Sequence, residues 1–500
     1  MKRVWTAGFL VLLMTGVVRA DNAANPCLDD IFLWLAGGLS SARVQRLAGA
    51  GNGTAHLTCQ ITASCAKALE NAGASASLMK DLGFDSGVRA AAKPEKPHAA
   101  ARPKTPDCLC TNAVSEVAAL VHGKNWKSAE DKVSGLLVDD PKNPRLLFVL
   151  GIILRNEERF DEAMDALRES ARVDPGFSDT HSQLAYLFYR TDDADDALGE
   201  ARTALSIDPA NAEAYRQLGL ALYGQGHYEA ALNAFEKSLE REAENADVYF
   251  DMGMTERDKG ELRQAEVAYR HALKLRPDFW QAHSNLGVVF HDQGNLDESM
   301  AEYQAALRLK PEDPSVRNNL ANTLCDKEEF DEAIAQFKAL YRDHPDWEGG
   351  HNCLARAYMA KSDYPAAILE LHEAIATNPE GAVEHRVLGQ ALLLMGKDRE
   401  AVEALRKAVE LSPDSALAHH YLGTALVNTQ QLGEAEKEFR EALRLDPSAQ
   451  NHYALAACLM ALNRYEEALG ELETASRLDP KENLYRTRMQ EAARMITTSK

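Results

Sequence analysis

Histidine recurs at one position along this chain, and repeated histidines are the side chains that most often bind zinc. The members of this histidine column are His181, His283, His351, His385, His419 and His452. Ligands of one zinc ion crowd within a few Å, because each Zn–N bond is about 2.0–2.1 Å long. Equivalent positions on stacked helices lie roughly 8–10 Å apart. We therefore expect the column to fill space between helices, and we predict no metal site.

Other patterns that could do chemistry are incomplete. Gly49-Ala-Gly-Asn-Gly53 has the glycines of a phosphate loop, but it lacks the following Lys-Ser/Thr and does not follow a strand. Carboxylate pairs such as Asp161-Glu162 and Asp331-Glu332 recur at one point of the pattern, which is typical of charge at a helix N-terminus. The chain has no His-Glu-x-x-His motif and no serine elbow. We predict a protein that is not an enzyme and needs no cofactor.

The net charge of −21 restricts the partner class. So acidic a surface repels phosphate backbones, and we expect no nucleic-acid partner. Two interpretations stay open: a preference for basic or neutral partners, or a charge that only keeps the chain soluble.

Proline recurs with a period of about 34 residues, which indicates a repeated helix–turn–helix unit. The proline positions are Pro141, Pro175, Pro209, Pro277, Pro311, Pro345, Pro379, Pro413, Pro447 and Pro480, with Ala243 in the missing place. A small residue lies 12 positions before each: Ala129, Ala163, Ala197, Ala231, Ala265, Ser299, Ala333, Ala367, Ala401, Ala435 and Ala468. A leucine column is also followed by a small residue, as in Leu218-Gly219 and Leu286-Gly287. Small residues let antiparallel helices approach closely where they cross.

These columns resemble the tetratricopeptide repeat family, whose pattern is met at Tyr215, Leu218, Gly219, Ala231 and Phe235. About eleven units span 110–482, and the first is degenerate because Glu116 replaces a leucine. The resemblance implies an all-α fold, an α-α superhelix whose first helices line a concave groove. One unit cannot bury its own apolar face, so neighbours must stack.

The resemblance also implies a peptide-binding groove. The groove residues of this sequence are Phe148, Ile152, Tyr186, Tyr189, Gln217, Leu220, Tyr223, Phe250, Asp251, Met254, Asn285, Val288, Asn319, Asn322 and Arg356. Exposed apolar and aromatic side chains in a groove need a cover. A partner peptide, the chain's own N-terminal module, or tight superhelical packing could each supply it.

A polar column within this groove contains Gln183, Gln217, Asp251, Asn285 and Asn319. It is similar to the repeats of the O-linked N-acetylglucosamine transferase, where asparagines hydrogen-bond an extended peptide. Side-chain amides both donate and accept, so they suit a backbone of any sequence. An ordinary polar lining is the alternative. Only about 20 residues follow the last repeat, so that enzyme's catalytic domain is not expected.

The segments before the repeats predict export and a small helical module. Residues 1–20 have the charged and apolar layout of a cleavable signal peptide, cut after Ala20, which places the mature chain in the periplasm or outside the cell with no membrane insertion. A helical module at 21–85 and a Pro/Ala/Lys-rich linker at 86–109 follow. Cys27, Cys59, Cys65, Cys108 and Cys110 could form one or two disulfides of undetermined pairing, whereas Cys325, Cys353 and Cys458 are expected to be small core residues.

The C-terminal stretch 483–500 is expected to cap the array. Leu484, Tyr485, Met489 and Ala492 recur at helical spacing. The sequence as a whole predicts a non-catalytic scaffold or adaptor that binds an extended peptide or protein segment in its groove. The alternative is a structural spacer in an envelope complex that uses its convex or end surfaces.

Overall fold

The computed structural model describes residues 28–47, 63–82 and 112–498, and every regular element in these ranges is an α-helix. The predicted signal peptide and linker lie outside the described residues. The chain divides into two compact units, unit 1 at Met1–Thr255 and unit 2 at Glu256–Lys500. The helices are α1 Leu28–Ala36, α2 Ser41–Leu47, α3 Ala63–Asn71, α4 Ala76–Asp81, α5 Asn112–His122, α6 Trp126–Asp139, α7 Pro144–Asn156, α8 Phe160–Val173, α9 Ser178–Arg190, α10 Ala194–Ile207, α11 Ala212–Gly224, α12 Tyr228–Leu239, α13 Ala246–Asp258, α14 Leu262–Leu275, α15 Trp280–Asp292, α16 Leu296–Leu309, α17 Pro314–Asp326, α18 Phe330–Asp343, α19 His351–Ala360, α20 Tyr364–Thr377, α21 Ala382–Leu394, α22 Asp398–Leu411, α23 Ala416–Asn428, α24 Leu432–Leu445, α25 Ala449–Ala461, α26 Tyr465–Leu478 and α27 Asn483–Thr498.

Local sequence explains where the paired helices begin. Two residues after a proline, Asn211 and Asp313 cap the first helices α11 and α17 by accepting hydrogen bonds from Ala214 N and Val316 N. Acidic residues occupy the first turn of several second helices, including Asp331 of α18, where they oppose the helix dipole. The prediction that these carboxylates are helix N-terminal charge is confirmed.

The crossing of the two helices in a repeat depends on a small residue facing a large one. A Cβ added to Gly287 of α15 would lie 2.7 Å from the Tyr303 ring of α16, and one added to Gly423 would lie 2.7 Å from the Phe439 ring. All eleven small residues of the second-helix column are fully buried, from Ala129 to Ala468. The prediction that small residues set the helix crossing is confirmed.

The N-terminal module, α1 to α4, shares its core with the first repeats of unit 1. Helix α1 packs against α5 and α7, and its Ile31 and Phe32 are fully buried. These side chains belong to the same apolar cluster as Val117 of α5 and Ile153 of α7. The module is therefore helical, as the sequence predicts, and it is fused to the start of the array through a continuous core.

Helix α27 ends the described part of unit 2 and packs against α26. Its Ala492 is fully buried, and the Tyr485 ring lies 5.4 Å from the ring of Tyr453 in α25. The remaining side chains of α27 are mostly solvent-exposed. The helix thus gives the last repeat an apolar neighbour on one side and presents a polar surface on the other.

The repeat cysteines do not all behave as the sequence predicts. Cys325 of α17 and Cys353 of α19 form a disulfide, with Cα atoms 6.3 Å apart. The prediction of simple core residues is wrong for this pair, because the first helices of consecutive repeats bring these two positions side by side. Cys458 is free and buried, as predicted. Cys65 is disulfide-bonded, and the other four N-terminal cysteines lie outside the described residues.

We expect Gly287→Ala to destabilise unit 2 by about 1–3 kcal/mol, because the new methyl group must displace the buried Tyr303 ring. Urea unfolding followed by circular dichroism measures this loss. Gly470→Ala is the matched control, since a Cβ at this exposed position of α26 meets nothing within 4 Å. The control should be neutral or stabilising by up to about 1 kcal/mol. Equal effects of both substitutions would contradict the proposed crossing contact.

Candidate functional site

Arg43 of α2 extends from the N-terminal module onto the first-helix face of unit 1. Its Nε and Nη2 donate to the Asp179 carboxylate at 3.2 and 2.9 Å, and its Nη1 donates to Asp208. Arg43 is 5% exposed and Asp179 is 3% exposed. Although burial acts in the opposite direction, the bond from Arg43 lowers the pKa of Asp208. One module side chain thus bridges two carboxylates of the array.

Neighbouring residues of the module extend this contact. Ser40 Oγ donates to Glu242 at 2.6 Å, and Arg46 Nη2 lies 3.3 Å from the same carboxylate. Gly37 lies directly on Phe148 of α7, where any Cβ would overlap the ring. Of the three covers that the sequence allows for the aromatic groove residues, the structure shows the chain's own module over Phe148.

The predicted apolar groove residues of unit 1 lie on α7, α9, α11 and α13. Phe148, Ile152 and Leu220 are buried. Tyr186, Tyr189, Tyr223, Phe250 and Met254 are half-buried. The Tyr186 hydroxyl accepts a hydrogen bond from Arg190 at 2.8 Å. Burial raises the pKa of Tyr189.

The polar column of unit 1 is engaged by groups of the same unit. Gln217 Nε2 donates to Glu213 at 2.6 Å, and Arg216 Nε donates to Asp251 at 2.6 Å. Gln183 accepts a hydrogen bond from Arg155. Burial raises the pKa of Asp251 to about 6, against the attraction of Arg216. Gln217 and Asp251 are therefore buried network members of unit 1.

In unit 2 the polar column continues as Asn285 and Asn319, and Asn285 Nδ2 donates to the Tyr269 hydroxyl at 3.3 Å. Asn285, Val288, Asn319 and Asn322 are half-buried, and the exposed Arg356 donates to Asp326 at 2.6 Å. In the described residues, the side chains of Asn319 and Asn322 make no hydrogen bond, and the Oδ1 of the adjacent Asn318 is buried without a donor. We call Asn318, Asn319 and Asn322 of α17 the amide face. The predicted site residues are thus divided between two units with different chemistry.

The histidine column is a series of hydrogen-bonded pairs. Five histidines place Nδ1 against a glutamate that follows 19 residues later: His181–Glu200 at 2.7 Å, His283–Glu302 at 2.6 Å, His351–Glu370 at 2.7 Å, His419–Glu438 at 2.6 Å and His452–Glu471 at 2.6 Å. The sixth, His385, has Ala404 at that place and contacts the Pro379 carbonyl at 3.1 Å. Each pair joins the first helix of a repeat to its second.

Sequence reasoning missed the charged side chains of the unit 1 face. Asp179, Glu213 and Asp247 recur once per repeat, at the second position of their first helices, which is a signal that a column search can detect. Arg43 has no such signal, because it lies outside the repeats. The constant spacing of the His–Glu pairs was also readable from the sequence.

The part of the chain that the structure describes contains neither of two kinds of feature, a metal-ligand cluster and a membrane-spanning helix. Among these residues, no group of three or more histidine, cysteine or acidic side chains is arranged to hold a metal ion. Within the same ranges, helices long and apolar enough to cross a bilayer are not found.

Three protein-family models described as tetratricopeptide repeat match the sequence. The first matches residues 118–176, 250–314 and 354–416, the second 290–357 and the third 212–245. A model of anaphase-promoting complex, cyclosome, subunit 3 matches residues 396–475. No curated protein sequence matches the chain.

Solved structures with similar repeats include MamA, at 25% identity over 32% of this chain and 95% of that chain, with a TM-score of 0.28. The Cut9–Hcn1 hetero-tetramer of the APC/C matches at 16% identity over 76% of this chain and 83% of that one, with a TM-score of 0.40. Yeast Tom70 matches at 15% identity over 77% and 95%, with a TM-score of 0.32.

We expect Arg43→Ala to loosen the module from unit 1. The substitution leaves the buried Asp179 carboxylate without its cation, and breaking a buried pair costs about 3–5 kcal/mol. Hydrogen exchange should accelerate in α1, α2 and the start of α9. Arg46→Ala is the control, because its pair with Glu242 is more exposed and should contribute less than about 1 kcal/mol. Unchanged exchange in Arg43→Ala would contradict the anchoring role.

We expect the His283–Glu302 pair to stabilise unit 2 more at pH 5.5 than at pH 8.5. The hydrogen bond to Glu302 raises the pKa of His283 above its usual 6.5. A raised pKa contributes stability that is fully present below the unfolded pKa and is lost as pH rises through the folded pKa. Glu302→Gln should therefore lower the free energy of unfolding in urea mainly at pH 5.5, by less than about 1 kcal/mol. Glu298→Gln, a first-turn carboxylate of the same helix α16, should show no such dependence on pH.

Proposed function

Since this chain is a tetratricopeptide repeat protein, we propose that it is a non-catalytic scaffold that binds an extended protein segment across the amide face of unit 2. Tetratricopeptide repeats serve protein–protein interaction, and the chain consists largely of them. The observation that supports the finer proposal is that, within the described residues, the Asn319 and Asn322 side chains make no hydrogen bond and the buried Asn318 Oδ1 has no donor. A half-buried amide exchanges its bonds to water for bonds to a partner, which gains about 0.5–1.5 kcal/mol for each bond.

The geometry of stacked first helices suits an extended backbone. Neighbouring first helices lie roughly 8–10 Å apart, and an extended chain advances about 3.3 Å per residue. One polar rung would therefore meet every third residue of a bound segment. Asn285 and Asn352 carry amides on the flanking helices α15 and α19, where their Nδ2 atoms donate to Tyr269 and Glu384. Amides recognise the backbone of any sequence, so affinity would come with broad tolerance for partner side chains.

Unit 1 is less suited to this role. Its equivalent polar side chains are held by Arg155, Glu213 and Arg216, and the module lies over Phe148. A partner would have to replace several buried charge-assisted bonds to reach this face. We therefore assign partner binding to unit 2 and an internal role to the corresponding column of unit 1.

A structural spacer is the second candidate. Large apolar side chains are exposed on second helices of unit 2, with Val267 of α14 at 57% and Leu369 of α20 at 62%. Isolated exposed apolar residues are common on protein surfaces, so they support this candidate weakly. Crosslinks to a partner from α14 and α20, with none from α17, would favour the spacer.

Export belongs to the proposal as well. The charged and apolar layout of residues 1–20 supports a cleavable signal peptide and a periplasmic or secreted scaffold. The Cys325–Cys353 disulfide suits an oxidising compartment. N-terminal sequencing of the mature protein tests the predicted cut after Ala20.

A displayed library of random linear peptides, selected on the intact chain, tests the amide face. Selected peptides should bind Asn319→Ala/Asn322→Ala at least about tenfold more weakly, because each lost hydrogen bond is worth about 1 kcal/mol. Gln304→Ala removes an exposed amide from the second helix α16 and should leave binding unchanged. If no peptide is selected, or if both variants bind the selected peptides equally, the amide face is not the binding site.

A further inference from the structure

A polar cavity of about 290 Å³ lies in unit 1 between the N-terminal module and the first helices of the array. Its volume is at the lower end of the roughly 300–1,000 Å³ range of small-molecule pockets. Gly37 to Ser40 form one wall, and charged side chains of α7, α9, α11 and α13 form the others. The module thus encloses a space that the repeats alone would leave as open groove.

Most charges around this cavity already have partners. Arg43 pairs with Asp179, and both Ser40 and Arg46 contact Glu242. These contacts satisfy the carboxylates that lie closest to the module. They also hold the module in one register over the cavity.

Arg155 is the cation that remains without an ion pair. Its guanidinium donates to the neutral amide oxygen of Gln183 and lies 5.1 Å from the Tyr186 ring centre. No carboxylate among the described residues lies within ion-pairing distance of it. Burial lowers the pKa of Arg155, against the attraction of Tyr186 and Glu213. A buried charge in this state favours binding of an anion.

The lining from α11 and α13 carries the acidic side chains Glu213 and Asp247. Arg216 gives its Nε to Asp251 at 2.6 Å, and its Nη1 stays 3.7 Å from Glu213, beyond hydrogen-bonding distance. Gln217 donates to one oxygen of Glu213, and the Oε1 of Gln217 is itself buried without a donor. Glu213 therefore keeps one carboxylate oxygen available to an added cation.

From this arrangement we propose that the cavity binds a small zwitterion, a free α-amino acid or a dipeptide. The ligand carboxylate pairs with Arg155, and the ligand ammonium pairs with Glu213. A dianion is disfavoured because Glu213, Asp247 and Glu242 line the same space. The site is independent of the amide face, so either proposal can fail alone.

Thermal unfolding of the intact chain with defined ligands tests the site. The probes are glycine, L-alanine, L-glutamine and the dipeptide Gly-Gly at millimolar concentration, with acetate and methylamine as analogues that each carry one of the two charges. At least one zwitterion should raise the Tm by about 2 °C or more in a saturable way, and calorimetry should give its Kd. Neither single-charge analogue should do so.

Arg155→Met distinguishes a ligand site from a general effect on stability. It should abolish the ligand-dependent shift while raising the Tm of the free protein, because it removes an uncompensated buried charge. Arg168→Met, at an exposed arginine of the adjacent helix α8, should leave the shift unchanged. Glu213→Gln gives a second test, because it changes the proposed partner of the ligand ammonium. No shift with any zwitterion, an equal shift with acetate, or a shift that survives Arg155→Met would overturn the proposal.

Discussion

The fold rests on the close crossing of the two helices in a repeat, where in most repeats a small residue of the first helix contacts a large side chain of the second. Gly287 against Tyr303 and Gly423 against Phe439 let the two helices approach closely, and any added atom would separate them. Because a close crossing of this kind recurs along the array, equivalent positions of successive first helices come to lie side by side. A residue type that recurs at one repeat position therefore forms a column of side chains along each unit.

Residue type can vary between repeats at the positions that do not pack within a repeat. One polar column serves as a buried charge network in unit 1, where Gln217 and Asp251 bind neighbouring side chains. In unit 2 the same column carries Asn285, which donates to the Tyr269 hydroxyl, and Asn319, whose side chain makes no hydrogen bond in the described residues. Equivalent backbone positions thus carry a buried network in unit 1 and half-buried amides in unit 2.

Periodicity made the helices, the buried alanines and the small-residue crossings predictable, because each depends on residues within one repeat. The His–Glu pairs follow the same period, and the two residues of each pair, 19 positions apart, join the two helices of one repeat. The contacts of Arg43 with Asp179 and of Cys325 with Cys353 were not predictable in this way. The first joins residues 136 apart, one of them outside the repeats, and the second depends on how consecutive repeats are placed.

The buried Arg43–Asp179 pair explains why the module lies where it does. The apolar core around Ile31 and Phe32 stabilises the module against the array, but apolar contact is not directional and would tolerate other placements. A buried ion pair adds little net stability, since desolvation offsets its attraction, yet a misplaced module would leave two charges buried and unpaired. The pair therefore selects one register. In that register the module covers Phe148 and lines a cavity beside Arg155, so part of the first-helix face of unit 1 is occupied by the chain itself.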